Sequence, residues 1–324
     1  MVEVGSDSLG GLPEEKAFYD AQEFVAFIAS GLLRSSRWVF RGQPNAGWKL
    51  QPSLERFASE LAQPRMVASI EGHHLHEFRR RARYYTEIVP EHGNLLEWLA
   101  LMRHHGSPSR LLDFSKSPYV AAFFATAEAG RNDAVAIWAI DARALKRRSA
   151  QVLSRELCID YVEIGKRCLA DPTFPLTEPK TFSSLIGGLG PKALVARMGP
   201  IPRAVFAIEP HSMNERMLLQ QGLFLFPTSL ECSFHESLQS VLALPSEGAG
   251  ADPSRTERVF YKLVLQPSAH PHVLRELHRM GLNYATLTPG LDGLGRSLAT
   301  VSKIRATCIP PGLGPDWDFD TACE

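Results

Sequence analysis

Eight residues, AVAIWAID at 134–141, are apolar at every position but the last. An amphipathic helix would break such a run with polar residues, and a half-buried strand would alternate. A continuous apolar run of this length marks a strand buried on both faces, which needs a covering layer on each side. The segment before it, PYVAAFFATAE at 118–128, reads as a helix, with Ser117 as N-cap and Pro118 in the first turn. Its small residues Ala121, Ala122 and Ala125 let that helix lie close to a sheet.

Other segments repeat the mixture. WVFRGQ, RLLDF, AVFAIEP, GLFLFP and RVFYKLVL read as strands. Helices are expected over DAQEFVAFIASGLL, where Phe24, Phe27 and Ile28 share a face and Gly31 is a stop, near 67–86, over LLEWLALMRHHG, and over PHVLRELHRMG. The expected fold class is therefore α+β, a mixed β-sheet core flanked by helices. Residues 1–17 are expected to form a flexible arm, 18–310 one domain with an insertion at 142–204, and 311–324 a loose tail. The stretch QPNAGWKLQPSLERF reads as a loop.

Composition excludes some functions and places the chain. With 35 basic and 35 acidic residues the molecule as a whole is no electrostatic glove for nucleic acid. No apolar run reaches the length of a membrane-spanning helix, and the polar N-terminus lacks the pattern of a signal peptide. Five scattered cysteines without a CxxC fit reduced thiols, so a cytoplasmic setting is expected. GGLGPK at 187–192 has the wrong spacing for a phosphate-binding P-loop.

Polar residues stand where a packed core would not choose them. Arg41 leaves an apolar strand with Gly42 beside it, a pattern that places a guanidinium at a sheet edge next to bare backbone and suits a phosphate or carboxylate. Sixty residues on, the block MRHHGSPSRLLDFSKSP adds His104, His105, Arg110, Asp113 and Ser115. Neighbouring helical side chains point about 100° apart, so only one of the two histidines faces a site. His105 is assigned to the site and His104 to capping the helix. Arg110 and Asp113 fit either a structural ion pair or a site role. Ser115 is the better site candidate, and Ser117 the cap. Gln220 and Gln221 before Gly222 fit a tight turn or a grip on an amide. The histidines lack the spacing of a metal site, and no metal is expected.

These strings, together with EFRRRA, NERMLLQQGLFLF and LRELHRMGLNYATLTPGLDGL, resemble the FRG-domain family, in the family's order, over most of residues 37–300. Ser109 and Phe114 stand where that family usually has Thr and Trp. The resemblance implies a bacterial protein. A second resemblance concerns chemistry. Transferases that move ADP-ribose from NAD build their site from an arginine on a first strand, a serine-rich strand entering a helix, and a glutamate motif beside a later strand. Phe40-Arg41-Gly42, LLDFSKSPYVAAFFA and NERMLLQQGLFLF resemble these elements in that order. The resemblance implies a split sheet, NAD as substrate without a metal, and a macromolecular acceptor, protein or nucleic acid, as for a toxin or defence effector. It implies cofactor contacts from Arg41, Gly42, Arg110, Ser115 and Gln221, and catalytic roles for Asp113, Glu215 and His105. Arg216 occupies the usual glutamate position, with Glu215 one residue before it. The alternative is a non-catalytic module binding a nucleotide or nucleic acid in the same cleft.

Overall fold

The computed structural model describes residues 11–30, 33, 35–157, 202–210, 214–245 and 258–306, with the side chains of 154–157 left aside. The apolar run forms β4 (Val135–Asp141), buried along its whole length. On one side it pairs antiparallel with β2 (Trp38–Gln43) over six residues, and on the other with β7 (Phe260–Leu265). With β1 (Glu14–Phe18), β3 (Leu112–Ser115), β5 (Val205–Ile208) and β6 (Gly222–Pro227) these make a seven-stranded sheet in the order β1-β7-β4-β2-β3-β6-β5. Only β1 and β7 run parallel, so the sheet is mixed.

The period-two alternation of each strand builds a core on both faces. Phe40, Ile137, Ala139 and Leu263 point to one side, under α1 (Ala21–Ala29), α5 (Pro118–Ala127) and α9 (His270–Arg279). Val39, Trp138, Ile140 and Phe260 point to the other, under α6 (Ala142–Leu157) and α8 (Phe234–Leu242). A third cluster lies where α4 (Leu95–His104) packs on β5 and β6. The remaining helices are α2 (Ser53–Glu60), α3 (Val67–Ala82), α7 (Glu215–Leu219), α10 (Tyr284–Leu287) and α11 (Leu291–Ala306). The fold is α+β, as the strand and helix patterns require.

Several boundaries differ from expectation. The stretch read as a flexible arm contains β1, whose Glu14–Phe18 pair with Tyr261–Leu265. Its EEKAF composition hides it, because the strand forms to cover the edge of β7. Arg41 is not at a sheet edge: β2 is the fourth of seven strands. The loop read after Gln43 contains α2. The region read as an insertion opens with α6, an integral helix: Ala144 and Leu145 are buried, and the Ser149 hydroxyl donates to Val205 O while accepting from Val205 N. Residues 158–201 of that region, most of the 245–256 loop and the tail from 307 lie outside the described residues.

Gly42 has a packing reason of its own. A Cβ built there would lie 1.9 Å from Ala121 O and 2.8 Å from Ala125 N, both on the backbone of α5. The alanines of α5 and the bare backbone of β2 thus meet. Gly42→Ala is expected to lower stability by about 2–3 kcal/mol, since backbone rather than a flexible side chain must move. Urea denaturation measures it, and an unchanged midpoint would show that α5 can shift freely.

Candidate functional site

The sheet narrows to one residue pair at its centre. β2 and β3 meet only at Phe40 and Ser115. Beyond that point β2 continues against β4, and β3 against β6. Arg41 is the first residue past the junction. Its Nη1 donates to Asp113 O at 2.6 Å, so a guanidinium bridges strands that the ladder no longer joins. Arg41 Nε is buried and has no hydrogen-bond partner among the described residues. A cleft of about 1200 Å³ opens over this junction.

Asp113 lies between two arginines. Arg103, in the last turn of α4, reaches both carboxylate oxygens through Nε at 3.1 and 3.3 Å, and its Nη2 also meets Oδ2. Arg103 Nη1 donates to Ser53 Oγ at 3.2 Å, tying α4 to the start of α2. Arg41 Nη1 stands 3.7 Å from Asp113 Oδ2. Desolvation favours protonated Asp113, but the Arg103 charge and its hydrogen bonds, then Arg41, outweigh it and hold the carboxyl below its ordinary range. Burial lowers Arg41 to about 10, with Asp113 opposing the shift, so it keeps its charge at neutral pH.

A second carboxyl behaves in the opposite way. Glu55, in the first turn of α2, lines the cleft. It accepts the backbone N–H of Phe234, the first residue of α8, at 2.7 Å. Burial raises its pKa to about 7 against that hydrogen bond, and Glu236 adds to the rise. Asp113 and Glu55 therefore differ in charge behaviour within one cleft, the first locked as an anion and the second changing charge near neutrality. Lys49, Arg56 and Arg216 also line the cleft. Trp48 lines it too while 56% exposed. The loop carrying Trp48 is fastened by Ala46 N to Ala134 O at 2.7 Å and by Gln43 Nε2 to Lys49 O at 3.1 Å.

The structure gathers some of the residues singled out from sequence and separates others. Arg41, Gly42, Asp113 and Ser115 line the cleft. Ser115 Oγ donates to Gln220 O at 2.7 Å and accepts from Ser117 N at 3.0 Å, while Ser117 caps α5. Arg110 is elsewhere: buried, it forms an ion pair with Glu71 of α3 through Nε at 2.8 and 2.9 Å. Neither a cleft position nor a pair with Asp113 is realised, because Glu71 of α3 holds Arg110 and Arg103 holds Asp113. Gln221 is an exposed residue at φ 48°, turning the chain from α7 into β6, and Gln220 lines the cleft in its place. The two histidines are exchanged. His105 is the C-cap of α4, and His104 faces the cleft with Asn214 Nδ2 at 3.0 Å from its Nδ1. Glu215 begins α7 and is exposed; its neighbours Asn214 and Arg216 line the cleft.

Glu55, Arg103 and Trp48 were not singled out by sequence as site residues. They sit in the PSLER, MRHH and AGWK strings, but only the return of α2 and α4 onto β3 brings them to one cleft. Among the described residues no group of three or more His, Cys, Asp or Glu side chains is placed to hold a metal ion. None of the described helices is long and apolar enough to cross a membrane.

The family model of the FRG domain matches residues 36–134. The chain thus carries an FRG domain, and the matched stretch supplies β2, α2, α4, β3 and α5, which frame the cleft. Searches of the curated proteins and of the solved structures returned no match.

Proposed function

We propose that this cleft binds NAD and breaks its nicotinamide–ribose bond, passing ADP-ribose to a macromolecular acceptor or to water. The observation that carries the reading is Arg41: a charged guanidinium at the central opening of the sheet, with a buried Nε that has no partner among the described residues, inside a cleft edged by Arg56, Arg103 and Arg216. A pyrophosphate is an anion that such a fork suits. The cleft, about 1200 Å³, leaves room for a dinucleotide.

The chemistry asks little of the protein beyond placement and charge. The bond's electron pair leaves with nicotinamide and cancels its ring charge. The ribose carbon becomes oxocarbenium-like, and a nearby carboxylate stabilises it. The acceptor's O–H or N–H then adds and gives up a proton. Asp113 orients Arg41 and Arg103 in this scheme, and Glu55 is the carboxyl able to take the proton.

One observation favours a second reading, a nucleotide-binding module without catalysis. The Asp113 carboxylate is already engaged by Arg103, which leaves it little freedom to serve a reacting centre. Labelled NAD incubated with the purified protein, with and without cell lysate, separates the two. Free nicotinamide is expected to appear and to survive added chelator. Arg41→Lys is expected to weaken NAD binding by about 1–3 kcal/mol in calorimetry, because lysine lacks the bidentate fork. If NAD binds through Arg41 but nicotinamide never exceeds background with any acceptor, the module reading replaces the transferase.

A further inference from the structure

The cleft holds one large aromatic side chain that the core does not use. Trp48 lines it and is more than half exposed. Among the described residues no aromatic ring or cation packs on its face. A tryptophan on a loose loop would be an ordinary surface residue. This loop is fixed on both sides of it. Ala46 N donates to Ala134 O at 2.7 Å just before, and Leu50 is fully buried just after. Between them Gly47 N donates to Asn45 Oδ1 at 2.8 Å and Trp48 N to Asn45 O at 3.3 Å, a turn that sets the direction in which Trp48 leaves the backbone. The buried Gln43 amide completes the anchorage. It accepts from Trp138 Nε1 at 2.6 Å and donates to Lys49 O at 3.1 Å.

Strand geometry relates this loop to Arg41. Side chains two apart on a strand share a face, so Arg41 and Gln43 point to the same side of β2. Because Gln43 holds Lys49 O, the chain beside Trp48 folds back over that face, two strand residues or roughly 7 Å further along than Arg41. An anion on Arg41 and a ring on Trp48 are then separated on the scale of one ribose. We propose that Trp48 is the stacking platform for an aromatic ring of the dinucleotide whose pyrophosphate Arg41 holds. The inference rests on the reading of the cleft as an NAD site and adds the residue that grips a base. Adenine and nicotinamide both offer a flat π-face, and an indole accepts either. The platform is ordered before the ligand arrives, so binding loses little freedom at this side chain.

Calorimetry on the full-length protein tests it. Trp48→Ala is expected to weaken NAD binding about tenfold or more, and Trp48→Phe to recover most of the loss. The side chain is exposed, so the fold is expected to persist, which circular dichroism checks. NAD is expected to quench tryptophan fluorescence in the parent, and Trp48→Phe to lose part of that quench. Two shorter ligands identify the ring, since ADP-ribose lacks nicotinamide and nicotinamide mononucleotide lacks adenine. A loss in Trp48→Ala shared by ADP-ribose but not by the mononucleotide assigns adenine to Trp48, and the converse assigns nicotinamide. Arg41→Lys keeps the inference apart from the reading beneath it. If NAD binding falls in Arg41→Lys but not in Trp48→Ala, or if the quench is undiminished in Trp48→Phe, the platform is overturned and the NAD site stands. If the parent binds no NAD, the NAD reading fails and the platform with it. Unchanged NAD affinity in Trp48→Ala together with lost transfer to a lysate acceptor would assign Trp48 to acceptor docking, which also overturns the proposal.

Discussion

Arg110→Ala is expected to cost about 3–5 kcal/mol of stability, which takes away much of what a domain of this kind has to lose. Arg110 is 7% exposed and Glu71 4%. Their pair is bidentate, and Arg110 Nη1 also donates to Thr228 O at 3.2 Å, so the guanidinium joins α3 to the end of β6. Its face lies over the Phe226 ring. Truncation leaves the Glu71 carboxylate buried without its partner and a carbonyl unsatisfied, and these losses dominate. A paired replacement, Arg110→Met with Glu71→Leu, removes both charges and fills the volume, and is expected to restore most of the loss. Urea denaturation of the single and double variants measures both effects. A single variant that stays within about 1 kcal/mol of the parent, yet no longer binds NAD, would return Arg110 to the ligand site.

Arg110 also shows what a sequence can and cannot say here. The block from Met102 to Glu128 was legible as the chemical centre because its polar residues interrupt apolar elements. Local signals placed β2, β4, α4 and α5 within a few residues, and the alanines of α5 predicted its close approach to the sheet. Pairing is a different matter. Arg103 and Arg110 both lie within ten residues of Asp113, and only the docking of α4 beside β3, with α3 behind it, decides which meets Asp113 and which meets Glu71. The 100° step between His104 and His105 required opposite directions but could not say which direction held the cleft. The same limit applies to Gln220 and Gln221, whose turn is set by a left-handed residue in a tight connection. The central position of β2 and the edge strand β1 depend on strand order, which joins residues up to 247 apart, as Lys262 and Glu15 are.

Glu55→Gln is expected to stabilise the protein at alkaline pH and to leave it unchanged in mild acid. Folding raises the Glu55 pKa from 4.5 to about 7. The folded state therefore holds a proton that the unfolded state releases between those values, and stability from this group falls as pH rises from 4.5 to 7. Above pH 7 the folded protein carries a charge that burial opposes, a loss of roughly 2–3 kcal/mol allowing for the partial exposure of Glu55. Glutamine keeps an oxygen for the Phe234 N–H without the charge. The variant is thus expected to be more stable than the parent by roughly 2 kcal/mol at pH 8, with the gap closing near pH 4.5. The difference between the two proteins is the readout. Burial lowers the His104 and His235 pKa values, and these push the parent's own curve upward with pH. A constant gap across this range would mean that Glu55 is ionised throughout, so that its hydrogen bond to α8 prevails over burial. A gap that opens through pH 7 would instead identify a cleft carboxyl that changes charge where proton transfer at neutral pH requires it. In that case loss of nicotinamide release in Glu55→Gln, with NAD still bound, would attribute the proton step to this side chain.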